Sequence, residues 1–285
     1  MSTIGTFIKR HPVPTYFALT FAISWGGFLL ALGPGGFAST NWEAEARFPI
    51  VVLAMLAGPS VAGILLTGLV DGKAGLREVL SRLLKWRVGA GWYAVALLPA
   101  PLLSAAVLFG LSLSSPILTT DDKAAVLLSG IAAGLFTVLE ELGWTGFAVP
   151  KLRLRHGVVT TGLIVGALWG AWHLLQGLFV SGTYHGALPL ALYLPLSFLG
   201  GVAQLTAYRV LMVWVYDHTG SLFVATLMHG SLTASTIFIF RPVATGVSFL
   251  AFGWILAAAL WIVVAGVAVA NRGHLSRPAL RERVA

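Results

Sequence analysis

Apolar runs of about twenty residues, separated by short polar breaks, recur along the 285-residue chain. A run of that length, coiled as a helix, crosses a hydrocarbon core roughly 30 Å thick. The pattern predicts eight such spans: Thr15 to Phe37, Phe48 to Val70, Gly91 to Leu113, Ala124 to Phe147, Val158 to Val180, Leu188 to Tyr216, Ser221 to Phe240 and Gly246 to Ala270. The stretch from Asp71 to Val88 differs in kind. There Leu76, Val79, Leu80, Leu83, Leu84 and Trp86 alternate with basic residues at helical spacing, which predicts a helix lying in the membrane interface with its apolar face down. The expected fold is all-α, a polytopic membrane helix bundle of about eight transmembrane helices with one interfacial amphipathic helix over about 71–88. Residues 1–285 are expected to form a single transmembrane domain, with a core segment over about 124–240 and a basic tail over 271–285. No long internal repeat interrupts this order.

Composition agrees with the pattern. Hydrophobic residues make up 58% and charged residues 10%, and the mean hydropathy is +0.89; soluble domains hold roughly 45–50% and about 25%. The chain has no cysteine, which excludes disulfides, thiolate nucleophiles and thiolate zinc sites.

Charge orients the bundle. With the N-terminus inside, only Arg47, Lys123 and Arg241 of the 18 basic residues fall outside, and the inner set includes Lys9, Arg82, Lys151, Arg153, Arg209 and Arg277. This bias predicts an even number of spans and two cytoplasmic termini; the expected location is a bacterial cytoplasmic membrane. The net charge of +8 is spread over several loops, which points to anionic lipid headgroups and away from nucleic acid.

Of ten acidic residues, only Glu140 and Glu141, in the stretch FTVLEELGWTGF, fall inside a span. Only His173 and His229 of the seven histidines do so. The glutamates and these two histidines are thus expected to be the only ionisable side chains in the membrane interior. A charge at the centre of a spanning helix costs about 2.5–3.5 kcal/mol on insertion scales, so such residues mark a functional site by default. Helical spacing groups Thr137, Glu140, Glu141 and Trp144 on one sector, Trp169, His173, Gln176 and Gly177 on a second, and Thr226, His229, Thr233 and Thr236 on a third. Gly162, Gly166 and Gly170, and Gly130 and Gly134, predict close helix packing behind these sectors. At 1.5 Å per residue Glu140 lies about 15 Å from the inner boundary and His229 about 14 Å, whereas His173 lies about 18–24 Å away. The first two are level. His173 joins them only if its helix starts late or tilts.

Two versions of hydrolysis fit these groups. In one, Glu140 is the general base, His173 positions the water or holds the proton, and His229 with Thr233 donates to the oxygen that becomes negative. In the other a metal takes the proton's place, and Glu140, His173 and His229 plus water form a zinc set. The residues leave both open. Each also has a structural reading, since threonines bond their own helix backbone and a lone intramembrane His or Gln often joins two helices. Serine-protease chemistry lacks an intramembrane Asp and a Gly-x-Ser-x-Gly elbow.

At these residues the chain resembles the CPBP intramembrane endopeptidases, the family of CAAX proteases and bacteriocin-processing or immunity proteins. Its Glu-Glu-x-x-x-Arg motif is similar to Glu140 through Thr145, its Phe-x-x-x-His motif to Trp169 through His173, and its His-x-x-x-Asn motif to His229 through Thr233. Thr145, Trp169 and Thr233 depart from it, standing where the motifs carry Arg, Phe and Asn. The resemblance implies an intramembrane endopeptidase with Glu140, Glu141, His173, His229 and Thr233 in its site and a membrane-associated peptide or protein as substrate, prenylated in some relatives. The competing readings are a non-proteolytic immunity or scaffold protein of the same fold, and a proton-coupled transporter. The transporter predicts an internal repeat that the chain does not display.

Overall fold

The computed structural model describes residues 3–33, 41–114, 123–180, 188–242, 246–271 and 275; among them are helices and turns and no strand. The expected end of the first span at Phe37, and the basic tail apart from Asn271 and Leu275, lie outside the described residues. Chain order is α1 (Thr3–Arg10), α2 (Pro12–Leu32), α3 (Asn41–Leu83), α4 (Ala90–Leu97), α5 (Pro99–Ser112), α6 (Lys123–Gly143), α7 (Val149–Arg153), α8 (Val158–Trp172), α9 (Leu174–Val180), α10 (Leu190–Thr219), α11 (Leu222–Thr233) and α12 (Val247–Ala270). π-helical turns at Trp144–Ala148 and Ala234–Ile239 continue α6 and α11.

Seven of the resulting spans are long and apolar enough to cross a membrane, and α8 is a shorter apolar eighth. The surface is correspondingly apolar: Leu30, Leu102, Phe109, Leu135, Ile262 and Val269 are all exposed, whereas Ser24, Ser104, Thr161, Glu141 and Arg209 are buried. Apolar faces this extensive need a cover, and lipid tails provide it for a polytopic bundle of this kind. The chain is an integral membrane protein.

Two elements differ from the expected pattern. The amphipathic stretch is joined to the second span, because α3 runs through a kink at Gly72, whose φ of 67° suits a residue without a Cβ. It ends at Leu83, short of Val88. Its apolar face presents Leu76 and Leu80 outward. Its polar face is tied to the core, with Lys151 Nζ donating to Asp71 at 2.7 Å and Arg82 Nη1 donating to the Tyr216 hydroxyl at 2.6 Å.

The fifth span breaks at His173, where one continuous helix to Val180 was expected. In an unbroken helix the His173 N–H would bond the Trp169 carbonyl. Here the ring Nδ1 takes that carbonyl at 2.8 Å, and the backbone N–H turns to Gly170 O at 3.2 Å. The side chain thus competes with the helix and tightens its last turn.

Glycines bring the site helices together. An added Cβ at Gly162, Gly166 or Gly170 would stand 2.5, 2.6 or 2.8 Å from the Cα of Val210, Thr206 or Val202, so α8 lies nearly backbone to backbone on α10. Gly134 meets Gly230 in the same way, which sets α6 against α11. The predicted small-residue packing is therefore present, and it surrounds the glutamates and histidines.

Candidate active site

Glu141 is the most heavily bonded group of the interior. Arg209 on α10 donates to both of its oxygens at 2.9 Å, His229 Nδ1 on α11 lies 2.9 Å from Oε1, and the Thr145 hydroxyl donates to Oε2. Glu141 and Arg209 are both 0% exposed. The planar guanidinium meets the carboxylate fork to fork, the geometry in which a charge pair is strongest.

Arg209 corrects the charge reading. It does not belong to the inner loops, and the glutamates and histidines are not the only ionisable groups inside. The α10–α11 turn explains its position. α10 ends on Gly220 with φ 59°, and Ser221 opens α11 by accepting the Val224 N–H at 3.1 Å. Counted from Gly220 at 1.5 Å per residue, Arg209 lies about 16 Å deep and His229 about 14 Å. The same depth arithmetic, applied to every basic residue within a predicted span, would have found it.

Glu140 is held differently. Its Oε2 accepts the indole N–H of Trp169 at 2.8 Å and that of Trp144 at 3.3 Å, and among the described residues no cation pairs with it. It keeps 7% of its surface exposed. Trp169 is central here: beyond its bond to Glu140, its ring packs edge-on against His229 at 4.8 Å and under the Arg209 guanidinium at 4.1 Å. Trp172 packs against His173 at 4.7 Å, and its carbonyl accepts the Trp25 indole N–H at 3.0 Å.

His173 lies one turn beyond this level, as the depth count foresaw. No hydrogen bond joins it to Glu140; Trp169 stands between, with its indole on one and its carbonyl on the other. A carbonyl only accepts, so His173 Nδ1 carries the proton and Nε2 is the free ring atom. The ring lines a cavity of about 130 Å³ between α8, α9 and α10, with Gly170, Gly177, Tyr193, Ser197 and Gly201 also on its wall. Thr233 closes α11 at the start of the π-helical turn, and its hydroxyl has no described partner. Thr226 and Thr236 instead bond the carbonyls of Leu222 and Leu232 on their own helix, both at 2.9 Å. Thr137 bonds the Gly134 carbonyl at 2.7 Å. Those three belong to the structural stripe.

Glu140, His173 and His229 are near neighbours without forming a ligand set. Among the described residues no group of three or more His, Asp or Glu side chains is placed to hold a metal ion. Glu140 Oε2 is taken by two indoles, and His229 is turned to Glu141.

A membrane bundle with a carboxylate pair, a buried guanidinium and two imidazoles around one cluster has the parts of an intramembrane hydrolase. Residues 121–235, the stretch from just before α6 into the π-helical turn after α11, match the type II CAAX prenyl endopeptidase Rce1-like family, and the match takes in every residue of the candidate site. Over that stretch the chain is similar to the CAAX prenyl endopeptidases, which are hydrolases. No curated protein matches the chain.

Proposed function

We propose that the chain cleaves a peptide bond of a membrane-associated protein or peptide with water activated by Glu140, in a bacterial cytoplasmic membrane and with both termini on the cytoplasmic side. Within its single transmembrane domain the catalytic core is the segment 124–240. The observation that carries this reading is the unlike treatment of two adjacent carboxylates. Glu141 accepts four bonds and faces a full positive charge. Glu140 receives two neutral indole donors on one oxygen. Indoles hold a carboxylate in place without neutralising it or trading protons with it. Its other oxygen, Oε1, is left to take a proton from water.

The step then runs as follows. Water gives a proton to Glu140 Oε1 while its oxygen attacks the scissile carbonyl carbon, and His173 Nε2 accepts the second water hydrogen bond. The carbonyl oxygen becomes negative. A protonated His229 donates to it from Nε2 while Glu141 accepts at Nδ1, and the Thr233 hydroxyl is the second donor. Collapse breaks the C–N bond, and Glu140 returns its proton to the leaving amine. No step needs a metal.

The test uses the full chain in proteoliposomes with quenched fluorogenic peptides, prenylated and unprenylated. Glu140→Gln keeps the shape and removes the base, so cleavage should fall by at least about a hundredfold with the inserted amount unchanged. Cleavage that persists undiminished would exclude Glu140 as base, and cleavage abolished by a membrane-permeant chelator and restored by zinc would overturn the metal-free route.

A further inference from the structure

Arg209 touches both halves of the site. On one side it grips Glu141 through both terminal nitrogens at 2.9 Å, and Glu141 in turn holds His229 Nδ1 at 2.9 Å. On the other its guanidinium lies 4.1 Å over Trp169, the residue that bonds Glu140 through its indole and His173 through its carbonyl. One side chain is therefore connected, at one remove, to every ionisable group of the proposed mechanism. We propose that Arg209 is the positioning residue of this site, and that it carries from α10 the positive charge that the resembled Glu-Glu-x-x-x-Arg motif carries at position 145. The proposal rests on the endopeptidase reading for its role in turnover, but not for its geometry.

Position 145 makes the relocation legible. The Thr145 hydroxyl donates to the same Glu141 oxygen that Arg209 Nη1 reaches, and Arg209 Nη1 lies 3.3 Å from that hydroxyl. The small threonine leaves the space beside Glu141 to a guanidinium arriving from another helix. Two features let it arrive there. Gly166 lets α8 lie against α10 beside the Arg209 stem, where an added Cβ would stand 3.0 Å from Arg209 Cβ. The Gly220 turn sets Arg209 and His229 at matching depth on α10 and α11. A guanidinium is needed in this position, because the fork binds both carboxylate oxygens while its flat face stacks on an indole. A lysine ammonium, as a point charge, keeps the neutrality and loses both constraints.

The experiment compares Arg209→Met, Thr145→Arg, the double variant and Arg209→Lys, all as full chains in lipid nanodiscs. Two readouts are taken: the ring nitrogen signals of His229 by ¹⁵N-histidine NMR, and cleavage of the fluorogenic peptides. Arg209→Met should shift the His229 signals and lower cleavage by a hundredfold or more. Thr145→Arg in that background returns a guanidinium to Glu141, so it should bring the signals back toward the wild type and recover tenfold or more of the lost rate. If Arg209→Met fails to insert, Arg209→Lys carries the test, with a loss of at least tenfold and rescue by the same Thr145→Arg change. Wild-type His229 signals in Arg209→Met, or a double variant no better than the single, would overturn the proposal. If the wild type cleaves none of the peptides, the endopeptidase reading is what fails, and the NMR comparison still decides whether Arg209 positions His229.

Discussion

Replacing Gly166 by alanine adds one methyl group at the closest approach of α8 and α10. The new Cβ would stand 2.6 Å from Thr206 Cα, a backbone atom that cannot swing aside. An ordinary carbon–carbon contact needs about 3.5 Å, so the helices must part by roughly 0.9 Å. Trp169 rides on α8 less than one turn away. The same displacement stretches its 2.8 Å bond to Glu140 to roughly 3.7 Å, past hydrogen-bonding range. Overpacking costs about 1–3 kcal/mol and loss of a bond to a charged group about 1.5–3 kcal/mol, so about 2.5–6 kcal/mol is expected in all. With about 2–4 °C per kcal/mol for chains of 150–250 residues, the apparent melting midpoint in detergent micelles should fall by roughly 5–24 °C. Gly201→Ala is the internal control. It lies on α10, and its added Cβ meets nothing within 4 Å, so it gains up to about 1 kcal/mol of helix propensity and should hold or raise the midpoint. Scanning fluorimetry of both variants at equal detergent and protein concentration measures the contrast. A Gly166→Ala protein that melts with the wild type, or a Gly201→Ala protein that drops as far, would refute the packing argument.

Thr233→Val, nearly isosteric but without the hydroxyl, should lower peptide cleavage by about 10–100-fold, while Thr226→Val, which removes a bond to its own helix backbone, should stay within about threefold; equal rates for Thr233→Val and wild type would assign Thr233 to packing. Single cysteines placed beside Arg82 and Arg153 in intact cells should be protected from an impermeant maleimide, and cysteines beside Glu43 and Asp121 should react. Labelling beside Arg153 would reverse the orientation of the bundle.

The long apolar runs were legible because a bilayer imposes one length on every span, and the glycine stripe on α8 was legible because only close packing explains a small residue every fourth position. The Glu140–Glu141 pair stood out by its cost in lipid. Arg209 did not, because the bias of basic residues toward inner loops is a statement about averages, and a single buried arginine reads like one more loop charge until its depth is counted. Its partner lies 68 residues away in the chain, on Glu141, and no helical period connects the two. The break at His173 was hidden for another reason. It comes from a side chain capturing the Trp169 carbonyl, a local competition that leaves no mark on hydropathy. The splitting of the glutamates into one saturated and one cation-free carboxylate is likewise a property of three helices meeting, which neighbouring positions in a sequence cannot express.

The pairing of Glu141 with Arg209 also bears on how the protein is made. Glu141 emerges from the ribosome first, on α6, and enters the bilayer before Arg209 exists to meet it. α10 follows with its arginine and with the lowest mean hydropathy of the seven long spans, 1.5 against 2.4 for α12. Each helix alone carries a charge that lipid resists by a few kcal/mol; once Glu141 and Arg209 meet, those two charges offset each other. Membrane integration of the two is thus expected to be coupled, because a nascent chain stopped before residue 209 leaves Glu141 without the guanidinium that pairs with it.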